Sequence, residues 1–251
     1  MNRILGLVFL FSSTICVYSQ DNTLADFGIE IIFSADHKIF PEAWLTEEIN
    51  GRATPLDTGE FKRSKAIITK ALNKYPVELI RKHLTKIYVV GQLEFYGQEY
   101  GGTNSISEIY LSNGGSNLGY TDFWIEQAFH SEFSSILLRN YSFLFDKKKW
   151  ISQNKGIHYG KSGTDALKHG KASETFDLEL NKKGVLSLYS TASIEEDFNS
   201  FAENLFKSNT GFWEIVKMHK RIREKTSQII EFYHRLDGRF DEKYFKSVSQ
   251  K

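Results

Sequence analysis

The sequence predicts an α+β protein in which helices dominate over a small sheet. Phe27–Phe33 alternates around apolar residues as a half-buried strand does, and Lys86–Leu93 and Glu108–Leu111 are further short apolar runs. Longer segments instead place their apolar residues three and four positions apart, which is the spacing of an amphipathic helix. Helices packed on a small sheet are the layout of an α+β domain.

The first predicted helix begins after Thr58, whose side chain can cap it, and extends to Tyr75. Pro76 then starts a new first turn, a position that proline favours. The apolar face continues from there to the strand at Lys86–Leu93. A second strand follows at Glu108–Leu111, and Gly114, Gly115 and Gly119 break the chain after it.

A long helix with a wide apolar face is predicted at residues 121–140. The polar, glycine-dotted stretch 145–183 predicts surface loops. After it we expect a short strand at Val185–Tyr189, a helix at Ser193–Lys207 and a final long helix at Gly211–Arg235.

Composition and charge indicate one globular domain without a nucleic-acid surface. The 251 residues are 41% hydrophobic and 25% charged, as in ordinary globular proteins. Lys and Arg number 32 against 31 Asp and Glu, and Arg3 is the only charged residue among the first nineteen. No basic field for nucleic acid is left.

The N-terminus has the pattern of a secretory signal peptide at residues 1–19. Arg3 precedes the apolar run Ile4–Phe11, and small polar residues follow. We favour cleavage after Ser19. Lipid attachment at Cys16 is the weaker alternative, because Ile15 is large for the position before an acylated cysteine. After cleavage at Ser19 the mature chain lacks cysteine, which excludes disulfides. We expect this chain outside the cytoplasm, in the periplasm or at the cell surface.

One segment of the long helix, at residues 129–137, contains candidate residues for a catalytic site. An HExxH zinc peptidase places two histidines one helical turn apart as metal ligands, with the glutamate after the first as general base. When that template is laid on Glu132, the histidine positions fall on Ser131 and Ser135. Glu196, on a later helix, is available as a third ligand. Tyr189 lies seven residues before it, where a phenol could reach an oxyanion.

With these residues the chain resembles a family of zinc-binding metallopeptidases that bacteria secrete, which look like distant relatives of the anthrax lethal factor catalytic domain. The resemblance rests on Phe129–Leu137 beside the family pattern HHEF-x-H-I-L, on Tyr189, on Glu196-Asp197-Phe198 and on Ala202-Glu203, together with the signal peptide and the order of elements. It covers most of residues 25–207.

This resemblance implies a zincin-like fold of the gluzincin branch at residues 25–207, with residues 208–251 as a C-terminal helical extension packed on that domain. It implies that Glu132 matches the general base, Glu196 the third zinc ligand and Tyr189 the hydrogen-bond donor to the transition state. His130 matches the histidine that precedes the motif in many members; it is not a ligand, but it is a further candidate for the cleft. At 100° per residue, its side chain points away from Ser131 and Ser135.

The departure from the family pattern decides the expected function. Serine hydroxyls are poor zinc ligands compared with imidazole, so most of the metal's ligands are missing and no cofactor is expected. We therefore predict a catalytically impaired relative that acts as a binding or accessory module, with a peptide or protein as ligand and no transmembrane segment. The sequence does not indicate an oligomeric state.

Three other interpretations remain open. In the first, the protein is an active hydrolase, either with zinc held in a non-standard way or through metal-free acid–base chemistry of Glu132 with Glu196. In the second, the motif is fortuitous and the chain is an unrelated secreted interaction domain. The third concerns single residues: Ser131 and Ser135 are simply small packing residues, His130 is a core histidine, and Glu195–Asp197 complements the dipole at a helix N-terminus.

Overall fold

The structure, a computed structural model, describes residues 23–24, 26–207 and 209–248. The predicted signal peptide and Cys16 lie outside these residues. The strands are β1 (Thr23–Leu24), β2 (Ile29–Ile32), β3 (Arg52–Thr54), β4 (Lys86–Val90), β5 (Gln92–Phe95), β6 (Gln98–Tyr100), β7 (Gly102–Asn104) and β8 (Glu108–Ser112). The α-helices are α1 (Phe61–Leu72), α2 (Val77–His83), α3 (Asp122–Asn140), α4 (Lys147–Ser152), α5 (Gly163–Lys168), α6 (Leu178–Lys183), α7 (Ile194–Phe206), α8 (Thr210–Met218), α9 (Lys220–Leu236) and α10 (Glu242–Val248).

The strands form two small sheets. Five of them are arranged in the order β1-β2-β4-β8-β7, with β2, β4 and β8 parallel and the two outer strands antiparallel. The other three form an antiparallel sheet in the order β3-β5-β6. The α+β class with a small sheet is therefore confirmed.

The predicted strand at Lys86–Leu93 is in fact two strands that belong to different sheets. The chain changes sheet at Gly91, where a Cβ atom would lie 2.5 Å from the carbonyl oxygen of Pro55 and 2.8 Å from the hydroxyl of Thr54. Only a glycine lets the backbone pass this closely. A continuous apolar run cannot reveal such a change of sheet, because both halves are buried.

The alternation of side chains along β4 and β8 separates two cores. Ile87 and Val89 of β4 pack with the helices, whereas Tyr88 and Val90 of the same strand pack with the three-stranded sheet. Successive side chains of a strand point to opposite faces, so each strand serves both layers. The helices thus cover one face of the larger sheet and the smaller sheet covers the other.

Two helices with well-defined N-termini pack against each other in the helical layer. The hydroxyl of Thr121 accepts a hydrogen bond from the Trp124 amide at 3.2 Å and so starts α3. The hydroxyl of Ser193 accepts one from the Glu196 amide at 3.1 Å and starts α7. Both helices were predicted to within one residue at each end, because cap and periodicity agree there.

Other sequence predictions of local structure are also wrong. Residues 145–183 contain the short helices α4, α5 and α6 and are not only loops. Val185–Tyr189 is not a strand: the Asn181 amide donates to the carbonyl groups of Val185 (3.0 Å) and Leu186 (2.9 Å), and a single bridge joins Ser187 to Phe176. The helix predicted at Gly211–Arg235 is two helices, since the chain is extended at His219.

The C-terminal helices share the main core with the rest of the chain. Phe212, Ile222, Phe232, Tyr233, Phe240 and Phe245 are all buried in the same cluster as Phe198, Phe201 and Phe206 of α7. Within the described residues, no helix is long and apolar enough to cross a bilayer.

Candidate functional site

A cavity of about 890 Å³ lies between α3, α7, the edge strand β7 and the segment around α5. Five of the six residues singled out in the sequence line it: Ser131, Glu132, Ser135, Tyr189 and Glu196. A cavity of this size falls within the range that holds small organic ligands or part of a peptide.

Helix α3 places Ser131 and Ser135 one turn apart on the side that faces α7. Ser135 is buried, and its hydroxyl oxygen accepts a hydrogen bond from the Asn199 side-chain amide at 2.7 Å. Asn199 belongs to α7, three residues after Glu196. Ser135, which stands where the HExxH template has its second histidine, is therefore hydrogen-bonded across the interface between α3 and α7.

Glu132 faces the cavity from the same helix. Its carboxylate accepts a hydrogen bond of 2.5 Å from the Asn104 amide of β7, and Arg139 in turn donates to the Asn104 carbonyl group. Burial raises the pKa of Glu132 to about 8, and the negative charges of Glu196 and Glu195 add to this, against the opposing effects of Asn104 and Arg139.

Glu196 lies opposite, in the first turn of α7. Burial raises its pKa to about 7, with the charge of Glu195 as a further cause, although the nearby Tyr189 hydroxyl opposes this shift. Tyr189 begins a short 3-10 helix, Tyr189–Thr191, rather than ending a strand. Its own pKa is raised by burial and by the nearby carboxylates. The two carboxyl groups and the phenol thus share one partly dehydrated space.

His130 lies on the other side of α3, in the core. Its ring is buried against Phe206 with centroids 5.3 Å apart, and its Nδ1 shares a hydrogen bond of 2.9 Å with the Tyr75 hydroxyl. Burial lowers the pKa of His130 to about 4, so the ring is neutral at physiological pH. His130 is not among the residues that line the cavity.

The structure adds a polar cluster to the cavity wall that the sequence analysis did not assign. Gln127 of α3 donates to the carboxylates of Glu203 (2.6 Å) and Glu174 (3.0 Å), and Lys207 donates to the Gln127 carbonyl group. Burial raises the pKa of Glu203 well above its usual value. Helical spacing in the sequence could have indicated this cluster. Gln127 precedes Ser131 by four residues and Glu203 follows Glu196 by seven, which keeps both on the cavity side of their helices.

The side chains present do not fit a zinc-peptidase site. Of the three template positions, two hold neutral hydroxyls, and that of Ser135 is already hydrogen-bonded to Asn199. Among the described residues, no group of three or more His, Cys, Asp or Glu side chains is arranged to hold a metal ion. Zinc in proteins is normally held by three or four such ligands.

Comparison with known proteins supports the fold alone. No family model and no curated protein matches the chain. A solved structure, described as a "putative zinc-binding metallo-peptidase" from Bacteroides caccae, is similar with a TM-score of 0.56 and 12% sequence identity over 91% of this chain and 87% of that chain. The chain therefore has a metallopeptidase-like α+β fold.

Proposed function

We propose that this protein is a secreted relative of zinc metallopeptidases that has lost its metal site and uses the remaining cleft to bind peptide. The observation that carries the proposal is the hydrogen bond from Asn199 to Ser135. A hydroxyl that is engaged between two helices is not available to a metal. Loss of two imidazole ligands is expected to abolish tight zinc binding, since even a lost hydrogen bond to a ligand costs about 10–100-fold in affinity.

A peptide is the favoured ligand because the cavity adjoins a sheet edge. β7 is the outermost strand of the five-stranded sheet, and its residues Gly102, Thr103 and Asn104 line the cavity. The outer side of an edge strand carries backbone groups that an extended peptide can pair with. Side chains of such a peptide would alternate between the cavity and solvent.

The alternative function is hydrolysis. It is favoured by the presence of Glu132, Glu196 and Tyr189 around a single cavity, since two carboxyl groups and a phenol are sufficient for acid–base chemistry. A cleavage assay with denatured protein substrates, run with and without a strong chelator, separates the two. Cleavage that depends on Glu132 would favour the hydrolase.

Restoring the missing ligands tests the proposed loss most directly. We expect the unaltered protein to show no stoichiometric zinc binding in calorimetric titration. The double variant Ser131→His with Ser135→His should bind zinc at least about 100-fold more tightly, because two imidazoles one turn apart then join Glu196. Adding Glu196→Gln should weaken that binding, whereas adding Glu231→Gln, at an exposed position on α9, should not.

A third arm adds Asn199→Ala to the double variant, since the Asn199 amide lies where the new imidazole would enter. Stoichiometric zinc in the unaltered protein would contradict the proposed loss. A double variant that binds zinc no better than the parent, with Asn199 present or removed, or equally well without Glu196, would show that the template does not apply.

A further inference from the structure

The cavity wall carries more negative than positive charge. Its acidic residues are Glu132, Glu174, Glu195, Glu196 and Glu203, and its basic residues are Arg139, Lys147 and Lys161. Arg139 is held by the Asn104 side chain and the Ser105 carbonyl group, and lies 3.8 Å from Glu195. Lys147 and Lys161 are exposed. The charged side chains that line the inner part of the cavity and remain available to a ligand are therefore carboxylates.

Glu196 in particular has no cationic partner among the residues that the structure describes. The Tyr189 hydroxyl lies nearby and favours its charged form, whereas the carboxylates of Glu195 and Glu174 repel its charge. Within the described part of the chain no ion pair reaches Glu196 or Glu132. A carboxylate that is partly buried without a counter-charge carries a cost in free energy that a cationic ligand would offset.

Asn199 supplies a second, independent indication. The residue lines the cavity and is only 4% exposed, and its side-chain carbonyl oxygen has no hydrogen-bond partner although its amide is bonded to Ser135. Buried acceptors are normally satisfied. A ligand that enters between α3 and α7 with N–H donors would satisfy this one, one helical turn after Glu196.

A metal ion is not the cation that this wall fits. The carboxyl groups surround the cavity without converging, and the described residues contain no group of three acidic or histidine side chains placed to share an ion. The volume instead suits an extended organic cation with several donors. Guanidinium and ammonium groups carry their donors at the end of a long apolar stem, which can reach from a backbone paired at β7.

We propose that the cleft selects peptides with a lysine or arginine side chain, which inserts between α3 and α7, pairs with Glu196 and donates to the Asn199 carbonyl oxygen. This inference rests on the proposed peptide-binding function and specifies its ligand.

The test uses the full-length protein and nonapeptides of alanine, serine and glycine, acetylated and amidated at their ends, that differ only in the central residue. Calorimetry at 0.15 M salt should give affinities about tenfold higher for central Lys or Arg than for norleucine, and lower for Glu, as charge-assisted pairing requires. Glu196→Gln should reduce the preference for Lys over norleucine to near unity. Glu231→Gln should retain it.

The peptide series on the unaltered protein judges the proposal even if Glu196→Gln fails to fold. Equal binding of the Lys, Arg, norleucine and Glu peptides would overturn the charge selection while leaving peptide binding in place. The same peptides are also tested without the acetyl group; binding of these alone would overturn it in favour of the terminal ammonium. Absence of binding to every peptide would overturn this inference and the proposed function together.

Discussion

Glu132 and Glu196 are held in the folded protein in an environment that favours their neutral form. Burial removes part of their hydration. The charge of Glu196 further disfavours ionisation of Glu132, and the charges of Glu195 and Glu174 do the same for Glu196. In the described part of the chain neither carboxylate forms an ion pair, so each opposes folding when it is ionised. Groups that destabilise a fold at neutral pH are common where a protein binds a ligand, because the ligand supplies the missing interaction.

This predicts an unusual pH dependence of stability. A carboxyl whose pKa is raised on folding holds its proton more tightly in the folded state. Its contribution to the free energy of unfolding is therefore complete below about pH 4.5, the usual pKa of a glutamate, and is lost as the pH rises through about 8, the pKa of Glu132 in the folded protein. Glu132→Gln removes this ionisation. At pH 8 the variant should be more stable than the parent by about 1 kcal/mol or more, with a smaller difference at pH 5.

Urea unfolding of parent and variant at both pH values measures the effect. The exposed Glu231→Gln variant serves as the control, and its difference from the parent should not change between the two pH values. If Glu132→Gln and the parent lose stability in parallel from pH 5 to pH 8, the carboxyl is not held in its neutral form.

At the scale of elements, α7 is fixed from both sides. Lys225 of α9 and Asp197, the residue after Glu196, are both fully buried and form an ion pair of 2.5 Å. Trp150 of α4 and Tyr159, which lines the cavity, also donate to the Asp197 carboxylate, at 2.8 and 2.5 Å. This network joins three helices directly behind the cavity and holds the first turn of α7 in place.

The opposite side of Glu196 is covered by α5, which approaches so closely that its first residue must be glycine. A Cβ atom on Gly163 would overlap both the Glu196 carboxylate and the Tyr189 hydroxyl. Gly163→Ala should therefore displace these groups and lower the free energy of unfolding by about 1–3 kcal/mol, the usual cost of overpacking. The loss should appear even though alanine favours a helix over glycine.

The matched control is Gly211→Ala, a change in the first turn of α8. A Cβ atom there would come no nearer than 3.4 Å to the Asn209 side chain, which is an ordinary contact. This variant should be as stable as the parent or up to about 1 kcal/mol more stable. Equal stability of Gly163→Ala and Gly211→Ala would refute the close packing of α5 on Glu196.

At the scale of the whole molecule, the helices after residue 208 complete the main core. Phe206 of α7 contacts Tyr233, Phe240 and Phe245 edge to face, with ring centroids 5.0 to 5.5 Å apart. Among the described residues, Lys225 is the cation that pairs with Asp197, so its removal would leave a buried charge unpaired. We therefore expect the segment to behave as part of the domain and not as an appendage.

A chain that ends at residue 207 should consequently fail to fold. It would expose the apolar surface of Phe198, Phe201 and Phe206, because the aromatic residues that cover them after residue 208 would be missing. Each buried aromatic side chain that is removed from a core lowers the free energy of unfolding by about 3–5 kcal/mol. A chain that ends at residue 248 is the control and should unfold cooperatively. Circular dichroism and thermal unfolding distinguish the two. A soluble, cooperatively folded chain 1–207 would show that the domain ends before the C-terminal helices.

Local patterns in the sequence were sufficient for the fold class and for α3 and α7. Caps at Thr121 and Ser193 and helical periodicity define these helices, because both depend on residues a few positions apart. The same short-range geometry placed Ser131 and Ser135 on one face and turned His130 away from it. The signal peptide remains a prediction from sequence alone.

Only the tertiary structure decided how these pieces meet. The bond between Asn199 and Ser135, the Gln127 cluster and the approach of Gly163 to Glu196 join residues that are 33 to 80 positions apart, and no local periodicity encodes such contacts. The change of sheet at Gly91 and the bend at His219 were missed for the same reason. Periodicity reports which side chains are buried, whereas packing between distant segments determines what they are buried against.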